Sequence, residues 1–346
     1  MTLINNGNIT VNIYNTQSEE MQRPTAGDIT QPPEPLRDVV KGKPQPWRPK
    51  KKKAVQLAKA LHELGYGKKA NRVWWCSDEL GFSIDPKTGK KKLQTATFCR
   101  ERLCMMCNWR KSIKMFYQLS RVLDVAQEEN PDMQLIFLTL TVKNCSGEEL
   151  DATIDAMFDG WRRLTEHRRV RSHIAGWFRA LEVTYNAETD SYHPHFHAIL
   201  AVDKSYFFNS AAYLHTHDWV HIWRVSCRID YEPVCDVRAV RKQSSERRHK
   251  HVAELAKYTV KDADIIHEDA EVTKRVVDVL GTALRNRRLH AYGGLLKIIA
   301  KRLKAEEPGA GDLIHIDDDA QIREDVAEAL TVYKWDFGLA NYFRRA

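Results

Sequence analysis

The stretch Tyr192-His193-Pro194-His195-Phe196-His197-Ala198-Ile199-Leu200 sets three histidines at alternate positions of an otherwise apolar run. Residues two apart in a strand point the same way, so His195 and His197 share one face while Phe196 and Ala198 turn to the other. Two imidazoles side by side on a rigid strand form half of a site for a divalent cation. His193 stands at the start of the strand, where a DNA contact is its expected use and an extra or substitute metal ligand the alternative. A second apolar run over 177–185 precedes the polar turn 186–191. With that turn centred between Glu188 and Thr189, Glu182 sits directly opposite His195 and on the same face. A slip of one residue would turn Glu182 away. A His/His/Glu set mixes nitrogen and oxygen donors and suits Mn²⁺ or Mg²⁺, with water and phosphate in the open positions. One histidine in a strand is ordinarily just a hydrogen-bonded residue. The paired histidines with an acid opposite favour the metal.

Further along, 252–261 reads VAELAKYTVK. On a helix, Glu254, Lys257, Tyr258 and Lys261 fall on one stripe, which puts a carboxylate one turn from a phenol with two ammonium groups beside it. A phenol with a pKa near 10 is a poor nucleophile at neutral pH unless cations stabilise its anion. Taken alone, E-x-x-x-Y on a helix is common and describes an exposed tyrosine among ion pairs. Upstream, Cys99, Cys104 and Cys107 have tight ligand spacing, with Cys76 available as a fourth thiolate. Such a sulfur quartet binds structural Zn²⁺ and anchors small loop-rich modules. Cys145, Cys227 and Cys235 read as small core residues.

These groups need rigid elements to hold them. A helical pattern over 55–64 ends at Gly65 and Gly67. From about 134 strands and helices alternate: strands at 134–142, 177–185, 193–202 and 234–240, and helices at 148–167, 209–225 and 247–261. Two more helical patterns cover 272–288 and 294–304. The order β-α-β-β-α-β-α predicts an α+β fold, an antiparallel-centred sheet of about five strands with flanking helices. Four segments are expected: a disordered, Pro-rich basic leader at 1–50; a helical, Cys-rich zinc-binding and DNA-contact module at 51–130; a catalytic domain at 131–305; and an acidic linker with an aromatic tail at 306–346, whose stretch 332–345 is expected to dock back or to contact a partner subunit.

The chain has 346 residues, a net charge of +8 and 43% hydrophobic residues. No apolar run is long enough to span a bilayer and the N-terminus lacks a signal-peptide pattern, so a cytoplasmic protein with reduced cysteines is expected. Basic residues cluster: 41–53 holds seven Lys/Arg and no acid, and 162–179 and 238–250 repeat the pattern. Clusters of this kind release counterions from phosphates, so Lys50, Lys51, Lys52, Lys53, Arg168, Arg169, Arg247 and Arg248 are candidate DNA contacts. The segment 306–328 runs the other way, with nine acids and one arginine.

Three blocks stand in order: the strand FLTLTVKN (137–144), HPHFHAIL (193–200) and the helix AELAKYTVK (253–261). Together they resemble the HUH endonucleases, and more closely the plasmid rolling-circle replication initiators with a single catalytic tyrosine. The segment CRERLCMMCNWRK (99–111) also resembles a region those initiators carry, so the likeness covers about 70–300. It implies an RRM-like HUH fold, with His195 and His197 as ligands of the catalytic metal, Tyr258 as nucleophile, Glu254 as the acid that activates water at termination, and Lys261 completing Y-x-x-K. Glu182 as third ligand rests on the hairpin argument. Glu254 occupies the place of a second tyrosine, which fits the single-tyrosine type. Plasmid origin DNA, a host helicase and a homodimer are the expected partners, with no membrane. The competing readings are a relaxase or single-strand transposase of the same class, a non-enzymatic DNA-binding replication-control protein, and a hydrolytic metallonuclease without a covalent step.

Overall fold

In a computed structural model the chain is described over residues 34–40, 42–209, 212–240, 252, 255, 260–305, 311–316 and 330–345. The expected leader up to residue 33, the 247–261 helix apart from Val252, Leu255, Val260 and Lys261, and most of the acidic segment lie outside the described residues.

The first elements are a two-residue hairpin, β1 (Val39–Val40) and β2 (Lys43–Pro44), then α1 (Trp47–Glu63), α2 (Gly67–Trp74), β3 (Glu79–Ile84) and β4 (Lys91–Ala96). Helix α1 starts well before the expected 55. Pro49 sits in its first turn, where backbone N–H groups have no intrahelical partner, so proline costs nothing there. The long α3 (Met105–Glu129) follows and leads into β5 (Met133–Thr141). Then come α4 (Leu150–Glu166), the short α5 (Arg168–Arg171), β6 (Ile174–Asn186), β7 (Ser191–Asp203), α6 (Thr216–Cys227) and β8 (Cys235–Val240). The chain continues through α7 (Asp262–Ile265), α8 (Ala270–Ala283), β9 (His290–Gly293) and α9 (Gly294–Arg302), and ends with β10 (Thr331–Asp336) and β11 (Asn341–Arg344).

The central sheet has five antiparallel strands in the order β8-β5-β7-β6-β9, in agreement with the α+β expectation. Strand alternation divides its side chains between two layers. Ile136, Leu138, Leu140, Leu181, Val183, Phe196, Ala198 and Leu200 belong to the core that includes Trp161 of α4 and Trp219 and Trp223 of α6. Leu135, Phe137, Phe178, Ala180, Ile199 and Ala201 belong to a second core with Met115, Leu119, Val122 and Leu123 of α3 and Leu296 and Ile299 of α9. Strand β9, which four residues could not announce by periodicity, closes the sheet edge against β6. There Gly293 lies so close to Trp177 that an added Cβ would come within 2.1 Å of the indole.

The C-terminal stretch docks back on the chain, one of the two uses expected of it. Residues 331–344 are not a tail but two strands of a second antiparallel sheet, ordered β11-β10-β3-β4. Tyr333, Trp335 and Tyr342 are buried in it. The Tyr342 hydroxyl donates to the Ser77 carbonyl at 2.6 Å, and Leu36 N–H donates to Tyr342 O at 3.0 Å. The physical reason is that β3 would otherwise be an unpaired edge. The Cys-rich module is therefore assembled from both ends of the chain, and residues 34–50 contribute to it rather than to a leader. Because Tyr342 is fully buried, Tyr342→Ala should destabilise the protein by roughly 3–5 kcal/mol, as large-to-small core changes do. Urea unfolding checks this; a loss below about 1 kcal/mol would mean the C-terminal strands are not integral.

Candidate metal centre

The candidate centre starts from a turn. Residues 187–190 connect the two 13-residue strands β6 and β7, and Asn186 Oδ1 accepts the N–H groups of Glu188 and Thr189 at 2.9 and 3.4 Å. The Tyr185 hydroxyl donates to Asp190 Oδ1 at 2.7 Å across the same corner. These contacts fix the register, and Glu182 pairs with His195 as the hairpin argument expects. Strand β5 flanks β7 on its other side, with Thr139 opposite His197 and Thr141 opposite His195.

Glu182 is 4% exposed and His195 and His197 are each 9% exposed. Glu182 Oε2 lies 3.1 Å from His197 Nε2 and 3.5 Å from His195 Nε2. One ligand atom from each of the three falls within 4.8 Å of the others, so the group could hold a metal ion. The remaining ring nitrogens show which way the lone pairs point. His195 Nδ1 is 3.1 Å from the His193 carbonyl, which can only accept, so Nδ1 carries a proton there and Nε2 is the nitrogen that turns to Glu182; it hydrogen-bonds that carboxylate here and would exchange its proton for a cation. His197 Nδ1 contacts the Thr139 hydroxyl at 3.1 Å, which leaves its Nε2 facing Glu182. Both rings thus aim their ligand nitrogens at one point, and the donor set fits a divalent cation.

Lys261 reaches the same carboxylate, with Nζ 2.8 Å from Glu182 Oε1. Burial alone would raise the Glu182 carboxyl, but hydrogen bonds from His195, His197 and Lys261 outweigh it and hold the group far below the ordinary carboxylate range. Asp264, on α7, is a further acid that feels the charges of Lys261 and Glu182; burial raises its pKa. Sequence reading missed Asp264 and Thr139, since neither stands at a ligand spacing. Their signals lie only in cross-strand pairing and in the turn after Lys261. Tyr258 and Glu254 lie outside the described residues, as do Arg247 and Arg248. Two neighbours of that helix are described: Val252 and Leu255 are buried in the core that covers the histidine-bearing face of the sheet.

The cysteine quartet comes together. Sγ of Cys76 is 3.6 Å from Sγ of both Cys104 and Cys107, and Cys99 Sγ is 3.6 Å from Cys107 Sγ. Disulfide sulfurs would be about 2 Å apart, whereas four thiolates around one ion such as zinc stand about 3.8 Å apart. Backbone N–H groups of Cys99 and Arg100 point at Cys76 Sγ and Cys107 Sγ, at 3.5 and 3.2 Å. The arrangement fits a metal.

Lys51 overturns part of the expected DNA surface. It is fully buried, and its Nζ donates to the carbonyls of Trp74 and Cys76, each at 2.7 Å. Burial lowers its pKa, and the charges of Cys76, Asp78, Cys104 and Cys99 oppose that shift. On α1 it shares an inward stripe with Trp47, Ala54, Ala58 and Leu61, so it faces the cysteines and not a phosphate. Lys50 is ion-paired with Asp262 at 2.7 Å, with Lys53 at 4.0 Å from the same carboxylate, while Lys52 is exposed. Arg168 and Arg169 are exposed, and Arg169 pairs with Asp218 at 2.6 Å.

Removing the Thr139 hydroxyl leaves His197 Nδ1 without its orienting partner. Thr139→Val should therefore weaken Mn²⁺ binding by about 10-fold or more, the usual effect of losing a group that orients a ligand. Calorimetric titration of the folded variant decides it; an unchanged affinity would remove Thr139 from the centre.

Comparison with known proteins points the same way. The profile of the replication protein family matches residues 90–343, a span that contains both the histidine strand and the paired C-terminal strands. A "Protein rep" of Bacillus amyloliquefaciens is 38% identical over 324 residues, covering 87% of this chain and 94% of the relative. One from Lactiplantibacillus plantarum is 39% identical over 308 residues, covering 87% and 96%. Another, from Streptococcus pneumoniae, is 37% identical over 305 residues, covering 88% and 93%. No solved structure matches. With an HUH-type histidine pair on the central strand and similarity running through most of its length, the chain belongs to the replication protein family of plasmid replication initiators.

Proposed function

We propose that this initiator starts rolling-circle replication by nicking one strand of the plasmid origin, with Tyr258 as nucleophile and a metal on Glu182, His195 and His197. The observation that carries the reading is the convergence of those three ligand groups with Lys261 beside them. Support for Tyr258 comes from its neighbours: Leu255 is buried on the histidine-bearing face, and Lys261 contacts Glu182. A bound divalent cation, Mn²⁺ or Mg²⁺, would offset the charge that builds on the scissile phosphate.

The Tyr258 phenolate oxygen attacks phosphorus in line. An O–P bond forms to the tyrosine and the P–O3′ bond breaks, so the DNA keeps a free 3′-hydroxyl and the protein carries a 5′-phosphotyrosine. The new bond conserves the energy of the one it replaces, so rejoining needs no ATP, and the 3′-hydroxyl primes synthesis. Lys261 contributes positive charge close to the reacting oxygens. At termination Glu254 takes a proton from water, so that hydrolysis replaces a second tyrosine attack. The target phosphate is presented unpaired or in an extruded hairpin.

The cysteine quartet holds Zn²⁺ and braces the module built from both chain ends. Helix α1 carries Lys51 beneath the sulfurs, where a buried ammonium offsets thiolate charge. A host helicase and a homodimer follow from the family likeness. No described helix is long and apolar enough to cross a membrane, and a cytoplasmic location fits a DNA substrate.

With origin-bearing supercoiled DNA and Mn²⁺, Tyr258→Phe should lose both nicking and the covalent 5′ adduct, read on a denaturing gel. Cutting that persists without an adduct would establish a hydrolytic metallonuclease instead. Glu254→Ala should nick normally and accumulate unterminated products; early loss of nicking would refute its assignment to the second step.

A further inference from the structure

Away from the histidine centre, the structure carries a second feature suited to DNA. A cavity of about 800 Å³ opens between β3, β4 and the outward stripe of α3. Three consecutive lysines, Lys90, Lys91 and Lys92, line one wall, and Ile113 and Tyr117 line the other. The Tyr117 ring is 41% exposed. The floor is rigid: Trp47 Nε1 donates to Asp38 Oδ2 at 2.7 Å. The rim is also pinned, because Arg110 Nε and Nη2 donate to the carbonyls of Leu313 and Ile314 at 2.9 and 2.7 Å.

Lysines on an edge strand, which β4 is, can serve only to blunt sheet pairing. Here Lys91, on the same face of β4 as Leu93, looks into a concavity with an exposed tyrosine, and that changes the reading. Duplex DNA shows its bases edge-on inside grooves, where a protruding helix or ribbon reads them. A concave wall with an exposed aromatic residue suits instead a base turned out of the stack, with a flanking phosphate on a cation. We infer that this cavity binds an unpaired DNA strand, with a base stacked on Tyr117 and an adjacent phosphate on Lys91. The inference rests on the nicking reading for its substrate, and it supplies what the buried Lys51 cannot: a basic surface on the cysteine-rich module that reaches solvent.

Fluorescence anisotropy with the full chain tests it, using a short oligothymidylate and a short mixed-sequence duplex without added divalent cation. Tyr117→Ala should weaken single-strand binding about tenfold, the effect of one lost base stack, and leave duplex binding unchanged. Lys91→Ala should lower the slope of log affinity against log salt by roughly 0.7, the value of one phosphate contact. Both residues lie at the surface wall, so folding is preserved. Wild-type single-strand affinity and slope in these variants would overturn the proposal, as would equal losses on both DNAs. The readouts are separable: anisotropy without divalent cation reports on the cavity and the 5′ adduct on the nicking reading, so failure of the cavity leaves the metal-dependent 5′ adduct in place.

Discussion

The structure depends on one pairing, Glu182 against His195 across the β6–β7 hairpin. Side chains alternate along a strand, so a slip of a single residue would send the carboxylate to the opposite layer, among Phe196, Trp161 and Trp223. The polar corner prevents that slip, because Asn186 accepts the turn's N–H groups and Tyr185 holds Asp190. Strand β5 supports the same register from the other side and supplies the Thr139 hydroxyl to His197. A buried acid between two imidazoles and an ammonium is stable as an anion only because those groups all point at it.

Helix α3 connects this centre to the rest of the chain. Its first turn contains Cys107, and Cys104 caps it. Ile113 and Tyr117 line the basic cavity. Farther along, Met115, Leu119, Val122 and Leu123 pack on the sheet layer that also holds His195 and His197. The cysteine quartet therefore anchors one end of the rod on which the histidine-bearing face rests, while β10 and β11 tie the same module to the far end of the sequence.

Much of this was legible in the sequence because its patterns were local. The alternation in 193–202, the turn residues at 186–191 and the spacing of Cys99, Cys104 and Cys107 each encode geometry over a few residues. Lys51 was misread because charge was weighed without helix phase; its spacing from Ala54, Ala58 and Leu61 is that of an inward stripe. The C-terminal strands were missed because their partner, β3, lies about 250 positions earlier, although Tyr333-Lys334-Trp335 already alternates inside and outside. Strand β9 is too short to show a period. Lys90, Lys91 and Lys92 stood in plain view as a basic run, but the ring of Tyr117 opposite them could be supplied only by tertiary packing.

Locating a bound Mn²⁺ by its anomalous scattering in crystals of the protein tests the central claim most directly. A peak about 2.0–2.3 Å from Nε2 of His195, Nε2 of His197 and a Glu182 carboxylate oxygen is the predicted result. A peak elsewhere, with these three side chains still hydrogen-bonded only to one another, would contradict it.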